Sequence, residues 1–97
     1  MEYSTKRPVI IDKERVSGLK FPKEEVLKSS DAIKQREKDL NRATTLGNME
    51  RDKMRIIFED SEGLKQIETT IWGVTDQRII LKQGMVIPIH CIHEVKI

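Results

Sequence analysis

Residues 53–97 read KMRIIFEDSEGLKQIETTIWGVTDQRIILKQGMVIPIHCIHEVKI, and this stretch decides the fold. Its first part alternates with a period of two, so that Met54, Ile56 and Phe58 point to one side of an extended chain. Such alternation predicts a strand with one buried face. The cluster Asp60-Ser-Glu-Gly63 then predicts a tight turn, because its glycine can take a positive φ.

The rest of this stretch predicts further short strands joined by turns. These strands cover residues 64–74, 78–82, 85–89 and 94–97. Gly73 marks a bend or bulge in the long second strand, Gln83-Gly84 a turn, and residues 88–92 one tight turn before the end. A stable small domain avoids flat sheet edges, so we predict a mainly β fold that closes into a five-stranded barrel, with the last strand beside the first.

Upstream of the strands, the pattern predicts a helix over residues 30–46. Ser29 or Ser30 can cap it, and Gly47-Asn48 is a typical stop signal. One face carries a narrow apolar stripe of Ile33, Leu40 and Thr44, widened by Ala43 and the stem of Arg36. The helix therefore lies on a surface, caps the barrel or pairs with another chain.

The chain divides into an arm, residues 1–28, and a single domain, residues 29–97. The arm is charged and is interrupted by Pro8 and Pro22, so we predict an extended segment that is mobile unless tertiary contacts anchor it. Its cluster Val9, Ile10 and Ile11 can add a strand to a sheet edge.

Composition narrows the function classes. Residues 1–55 hold fourteen Lys or Arg against ten Asp or Glu, and residues 56–97 hold four against six. This asymmetry allows an anionic partner for the first half without requiring one. A single cysteine excludes an internal disulfide and favours the cytoplasm, and no apolar run is long enough to suggest a membrane segment.

The order of apolar positions and turns resembles a small SH3-like barrel of the Sm-like kind. The resemblance covers about residues 30–97 and rests on Met54–Asp60, Thr70–Asp76, Ile79–Gly84 and Val86–Val95. It implies an N-terminal helix before a bent five-stranded sheet. The Asp-x-x-(Met)-Asn segment with which Sm proteins hold a base is missing, since Val74-Thr-Asp-Gln-Arg occupies that region. The chain also looks like small uncharacterised bacterial proteins, a similarity that supplies no activity.

His90-Cys-Ile-His93 is a cluster of metal-type ligands. On one helical turn His90 and His93 would project to the same side, with Cys91 or Glu94 near enough to add a ligand. A closed zinc site needs four ligands, however, and the sequence has no second such cluster. The favoured interpretation places the histidines at a solvent rim while Ile89 and Ile92 fill the end of the barrel, so no cofactor is predicted.

Covalent catalysis through Cys91 lacks its other requirements. A reactive thiolate needs a lowered pKa and an oriented base, and nothing in the sequence supplies an oxyanion hole or a phosphate loop. We therefore predict that the protein is not an enzyme.

Two further features could contact a partner. Lys34, Lys38 and Arg42 form a helical stripe that could track a phosphate backbone, although nearby acids favour an ordinary solvated, salt-bridged face. Trp72 either points outwards as an anchor for a peptide or a base, or lies under the helix, and burial is the commoner state of a tryptophan.

These features favour a non-catalytic binding or adaptor protein. It would engage another protein, or a second copy of itself, through the barrel surface and the arm, with contacts at Val9, Ile10, Ile11, Leu40 and Trp72. The alternative is an RNA- or ssDNA-binding protein that uses Lys34, Lys38, Arg42 and Trp72. Neither a membrane nor a small-molecule substrate is implied.

Overall fold

The computed structural model describes residues 7–50 and 53–96, which contain one long helix and seven strands. The helix α1 covers Ser30–Glu50. The strands are β1 (Val9–Ile10), β2 (Met54–Asp60), β3 (Gly63–Thr69), β4 (Ile71–Val74), β5 (Arg78–Leu81), β6 (Val86–Pro88) and β7 (Ile92–Lys96). Short 3-10 helices cover Lys13–Gly18, Lys82–Gly84 and Ile89–Cys91. No helix within these residues has the length and apolar character to cross a membrane.

The strands form two sheets. One has the order β1-β3-β2-β7 and the other β4-β5-β6. The predicted long strand over residues 64–74 is interrupted at Thr70, so its halves, β3 and β4, belong to different sheets. The expectation of mainly strands with one long helix is confirmed, in a mixed α/β structure in which β1 comes before the helix. Within the described residues, however, no strand pairing closes the two sheets into a barrel.

The predicted turns and the bulge are present. The last strand, β7, runs antiparallel beside β2, with Ile56 opposite Val95. The register of β4 against β5 shifts between Ile71 and Gly73, which places the bulge where the glycine indicates it. Gly84 has a φ of +85° in the turn after β5.

The turn between β2 and β3 is held by a buried carboxylate. Asp60 Oδ1 accepts the backbone N–H groups of Glu62 at 2.8 Å and Gly63 at 3.1 Å. Lys65 Nζ lies 3.1 Å from both carboxylate oxygens, and the hydrogen bond with Asp60 raises the pKa of Lys65. An ion pair between the turn and β3 thus compensates the burial of both charges.

Both sheets share one hydrophobic core. Alternate residues of β2 and β5 point into it, as the sequence predicts, and Phe58, Ile67, Leu81 and Ile92 are fully buried. Helix α1 packs against β4 and β7, and residues 13–18 pack against β3 and β6. The helix and the arm therefore cover this core from two sides.

Helix α1 begins as predicted and ends later. Ser29 is the cap, since its Oγ accepts the backbone N–H of Ala32 at 3.0 Å. The helix does not stop at residue 46 but continues through Gly47 to Glu50. One glycine costs a helix only about 1 kcal/mol, which does not by itself end it.

Residues 7–28 differ from the weakly ordered arm that the sequence predicts. Val16 is buried in the core, and the Phe21 ring lies 5.9 Å from that of Phe58. Backbone bonds join Ile11 to Gln66 and Val26 to His90. These contacts are the tertiary anchors whose absence would have left the segment mobile, so this part of the arm belongs to the domain.

Candidate functional site

Trp72 is exposed, contrary to the burial that its size favours. Its side chain lies on β4 and retains 53% of its accessible surface. Ile71 and Gly73 are opposite Leu81 and Ile80 of β5, so Trp72 is the extra residue of the bulge. The bulge thus presents a large aromatic ring to solvent at the edge of the three-stranded sheet.

An apolar row continues from Trp72 across this sheet. Gly73 is paired with Ile80, and Ile80 in turn with Val86 of β6. Ile79, Leu81 and Ile87, which alternate with these residues, are fully buried, so Ile80 and Val86 face outwards. A Cβ on Gly73 would lie 3.8 Å from Ile80 Cδ1, which shows that the isoleucine leans over the glycine.

One cation shares this outer surface. Arg78 is exposed and lies two residues before Ile80, on the same side of β5. We call Trp72, Arg78, Ile80 and Val86 the Trp72 face. It combines an aromatic ring, two aliphatic side chains and a guanidinium group on one sheet.

A cleft of about 570 Å³ adjoins the Trp72 face. Val86 and Arg78 line it together with Glu25 of the arm. Asp76 and His90 also contribute to its wall. Because apolar and charged groups meet here, the cleft could seat a polar segment of whatever contacts the Trp72 face.

Glu25, the arm residue that lines this cleft, forms an ion pair with Arg36. Arg36 Nη1 and Nη2 donate to the two carboxylate oxygens of Glu25 at 2.7 and 2.6 Å. Nη1 also donates to the Ile92 carbonyl at 3.0 Å. Arg36 is only 4% exposed. We call its bonds to Glu25 and to the Ile92 carbonyl the clasp. The clasp joins the arm, α1 and β7 at one buried point.

The clasp makes stability depend on pH. The hydrogen bonds from Arg36 lower the pKa of Glu25 below its ordinary value of 4.5. A lowered pKa stabilises the fold above pH 4.5, and this contribution is lost as the pH falls through the folded-state value.

We therefore expect Glu25→Gln to lower the free energy of unfolding at pH 7 by about 1.5 kcal/mol, at the low end for charged hydrogen bonds because solvent reaches the carboxylate. The deficit relative to the unaltered protein should shrink as the pH falls below 4.5 and should be lost below the lowered folded-state pKa of Glu25, where both proteins carry a neutral group at position 25. Urea unfolding of both proteins at several pH values measures this. A deficit that is independent of pH would contradict the assignment.

The two histidines do not converge on a common ligand position. His90 Nε2 lies 2.7 Å from the Pro22 carbonyl, and His93 Nε2 lies 2.9 Å from Glu59 Oε1. A carbonyl only accepts, so His90 carries its proton on Nε2. No group of three or more metal-type side chains occurs among the described residues. The His90–His93 spacing thus serves two separate contacts, one to the arm and one to β2.

Cys91 is unsuited to nucleophilic chemistry. Its side chain is fully buried and Sγ donates to the Pro22 carbonyl at 3.4 Å. Burial, with the nearby Glu25 and Glu59 carboxylates, raises the pKa of the thiol to about 11. The thiol is therefore protonated near neutral pH.

The basic stripe of α1 lies apart from Trp72. Lys34, Lys38 and Arg42 are all exposed. At 100° per residue they fall opposite the buried line of Arg36 and Leu40, so they face away from the sheets. The structure does not combine them with Trp72 into one surface.

The remaining predicted contact residues separate into two groups. Leu40 is only 2% exposed and belongs to the core, so the prediction that it contacts a partner is wrong. Val9 and Ile10 are exposed on β1, which pairs in parallel with β3 at a sheet edge, while Ile11 is half-buried. The cluster therefore adds a strand to an edge, as predicted, within its own chain.

Comparisons with protein-family models, curated proteins and solved structures gave no match to this chain. Functional inference consequently rests on the Trp72 face and its surroundings.

Proposed function

We propose that this protein is a non-catalytic binding protein whose Trp72 face contacts another polypeptide. The half-exposed Trp72 is the observation that carries the proposal. Tryptophan and arginine are the residues most enriched among those that dominate binding energy at protein interfaces. On the Trp72 face both occur on one sheet, beside two outward aliphatic side chains.

The composition of this surface favours a polypeptide over a nucleic acid. Single-stranded nucleic acids bind on several aromatic side chains within a basic groove. The Trp72 face has one aromatic ring and one cation, and its other members, Ile80 and Val86, suit apolar side chains. A second copy of the chain is one partner of this kind.

A catalytic role finds no support in the cleft. The thiol of Cys91 is buried and protonated near neutral pH, and His90 is bonded to the Pro22 carbonyl. Arg36 already bonds Glu25. Cys91, His90 and Arg36 thus serve structural contacts.

We propose an SH3-like arrangement for the strands. The bent pair β3 and β4 contributes to both sheets, β7 lies beside β2, and a single 3-10 turn joins β6 to β7. We also propose a cytoplasmic location, which the single reduced cysteine supports.

Trp72→Ala is expected to weaken peptide binding at least about 30-fold, the loss of about 2 kcal/mol that defines a dominant contact. Random peptides displayed on phage would be selected against the unaltered protein, and their affinities measured by titration calorimetry. Stability should change little, because the ring is half-exposed.

Lys38→Ala is the matched control, since it removes an exposed side chain on the far side of α1. It should leave peptide affinity unchanged. Peptides that bind equally well to Trp72→Ala and the unaltered protein would contradict the proposal.

Nucleic-acid binding is the second candidate, supported by the solvent exposure of Lys34, Lys38 and Arg42. Within the described residues no ion pair engages these three cations. It predicts oligonucleotide affinity that falls steeply with salt and is lost when all three become glutamine.

A further inference from the structure

The strands that form the Trp72 face carry positive charge and no negative charge. β4, β5 and β6 contain no acidic residue, and their one charged side chain is Arg78. Lys82 follows β5 directly, and its backbone N–H donates to the Thr70 carbonyl at 3.0 Å. This bond fixes the Lys82 backbone near the start of β4. Cations therefore stand at both ends of β5, with Ile80 between them.

Arg78 is available to a ligand. It is exposed, and within residues 7–50 and 53–96 no ion pair engages its guanidinium. Asp76 and Glu25 line the same cleft, and Glu25 is already bonded to Arg36. A free guanidinium offers a planar pair of donors that fits a carboxylate in two parallel hydrogen bonds.

The spacing along β5 matches an extended ligand. Arg78 and Ile80 are two residues apart on one face, about 7 Å at the rise of a strand. An extended peptide has the same repeat on each of its sides. It can therefore place an apolar side chain against Trp72 and Ile80 while a carboxylate two residues away reaches Arg78.

We propose that the Trp72 face binds an extended acidic peptide in which an apolar anchor is flanked by Asp or Glu. This inference rests on the proposed function and specifies the chemistry of the partner. The anchor packs on Trp72, Ile80 and Val86, and the carboxylate pairs with Arg78. Lys82 provides a second positive charge for an acid on the other side of the anchor.

The test is the composition of peptides that phage selection returns on the unaltered protein. We expect enrichment of Asp or Glu two to four positions from an apolar anchor. Arg78→Glu should weaken the best acidic peptide about tenfold or more, because it replaces an attractive charge pair with a repulsive one. Selection on Arg78→Glu should return Lys or Arg at those positions.

Lys38→Glu makes the same change of charge on α1 and should leave the affinity for acidic peptides within about twofold at physiological salt, where distant charges are screened. Equal melting temperatures of the two variants would show that Arg78→Glu folds normally.

Different failures identify different errors. If no peptide is enriched, the proposed function itself is overturned. If enriched peptides need Trp72 but lack acids and ignore Arg78→Glu, only the acidic partner is overturned. If poly(U) RNA binds instead and Arg78→Glu abolishes that binding, the face serves a nucleic acid and the inference is wrong.

Discussion

Replacing Arg36 with alanine is expected to lower the free energy of unfolding by about 3 kcal/mol, at the low end for breaking a buried ion pair. The change removes both hydrogen bonds to Glu25 and the bond to the Ile92 carbonyl. It also leaves the Glu25 carboxylate in a half-buried position without its cation. Urea unfolding at pH 7, followed by Trp72 fluorescence or circular dichroism, measures the loss.

Lys34→Ala is the control for this experiment, because it removes an exposed cation two residues away on the same helix. Exposed substitutions of this kind usually change stability by less than about 0.5 kcal/mol. Arg36→Lys should lie between the two, since lysine keeps the charge but loses the paired geometry. If Arg36→Ala were as stable as Lys34→Ala, the clasp would contribute nothing and the arm would be held by apolar contacts alone.

Leu40→Ala is expected to cost about 3 kcal/mol, within the range for emptying a buried leucine site. Leu40 belongs to the core cluster on the face of α1 that packs against β4 and β7. For a chain of this size the melting temperature should fall by roughly 12–24 °C. Differential scanning calorimetry measures this shift.

Ile33→Ala provides the comparison, because Ile33 lies on the same stripe but is 36% exposed. Its cost should stay near 1 kcal/mol, since less apolar surface is removed from contact. Peptide affinity should survive Leu40→Ala below its melting temperature. Unchanged stability together with lost binding would restore Leu40 as a partner contact and would contradict its place in the core.

The strand pattern was predictable because it is local. Met54, Ile56 and Phe58 alternate in the sequence, and each is buried in β2. Gly73 indicates the bulge because it has no side chain. Gly84 indicates a turn because glycine readily adopts the positive φ that it has there. Each of these features depends on a few consecutive residues.

The site depends on contacts between distant residues, which no local pattern shows. Glu25 and Arg36 belong to the arm and the helix, and His90 reaches the carbonyl of Pro22, 68 residues away. The sequence places the stem of Arg36 on the apolar stripe of the helix, but it does not indicate that Glu25 is the partner of the guanidinium. Ordering of residues 7–28 follows from such contacts, so the sequence alone predicts only a loose arm there.

The orientation of Trp72 shows a different limit. Its alternation with Ile71 points it outwards, whereas the burial usual for tryptophan argues for the helix interface. The register of β4 against β5 decides the matter by making Trp72 the extra residue of a bulge. The alternation in the sequence indicates that Trp72 points outwards. The bulge at Trp72, however, is visible only when β4 is paired with β5.

The most direct test of the Trp72 face is nuclear magnetic resonance of the ¹⁵N-labelled protein titrated with a phage-selected peptide. We expect amide shifts concentrated in residues 71–74, 78–82 and 86–87, and their loss in Trp72→Ala. Shifts confined to the exposed face of α1, or shifts that persist in Trp72→Ala, would contradict the proposed role of the Trp72 face.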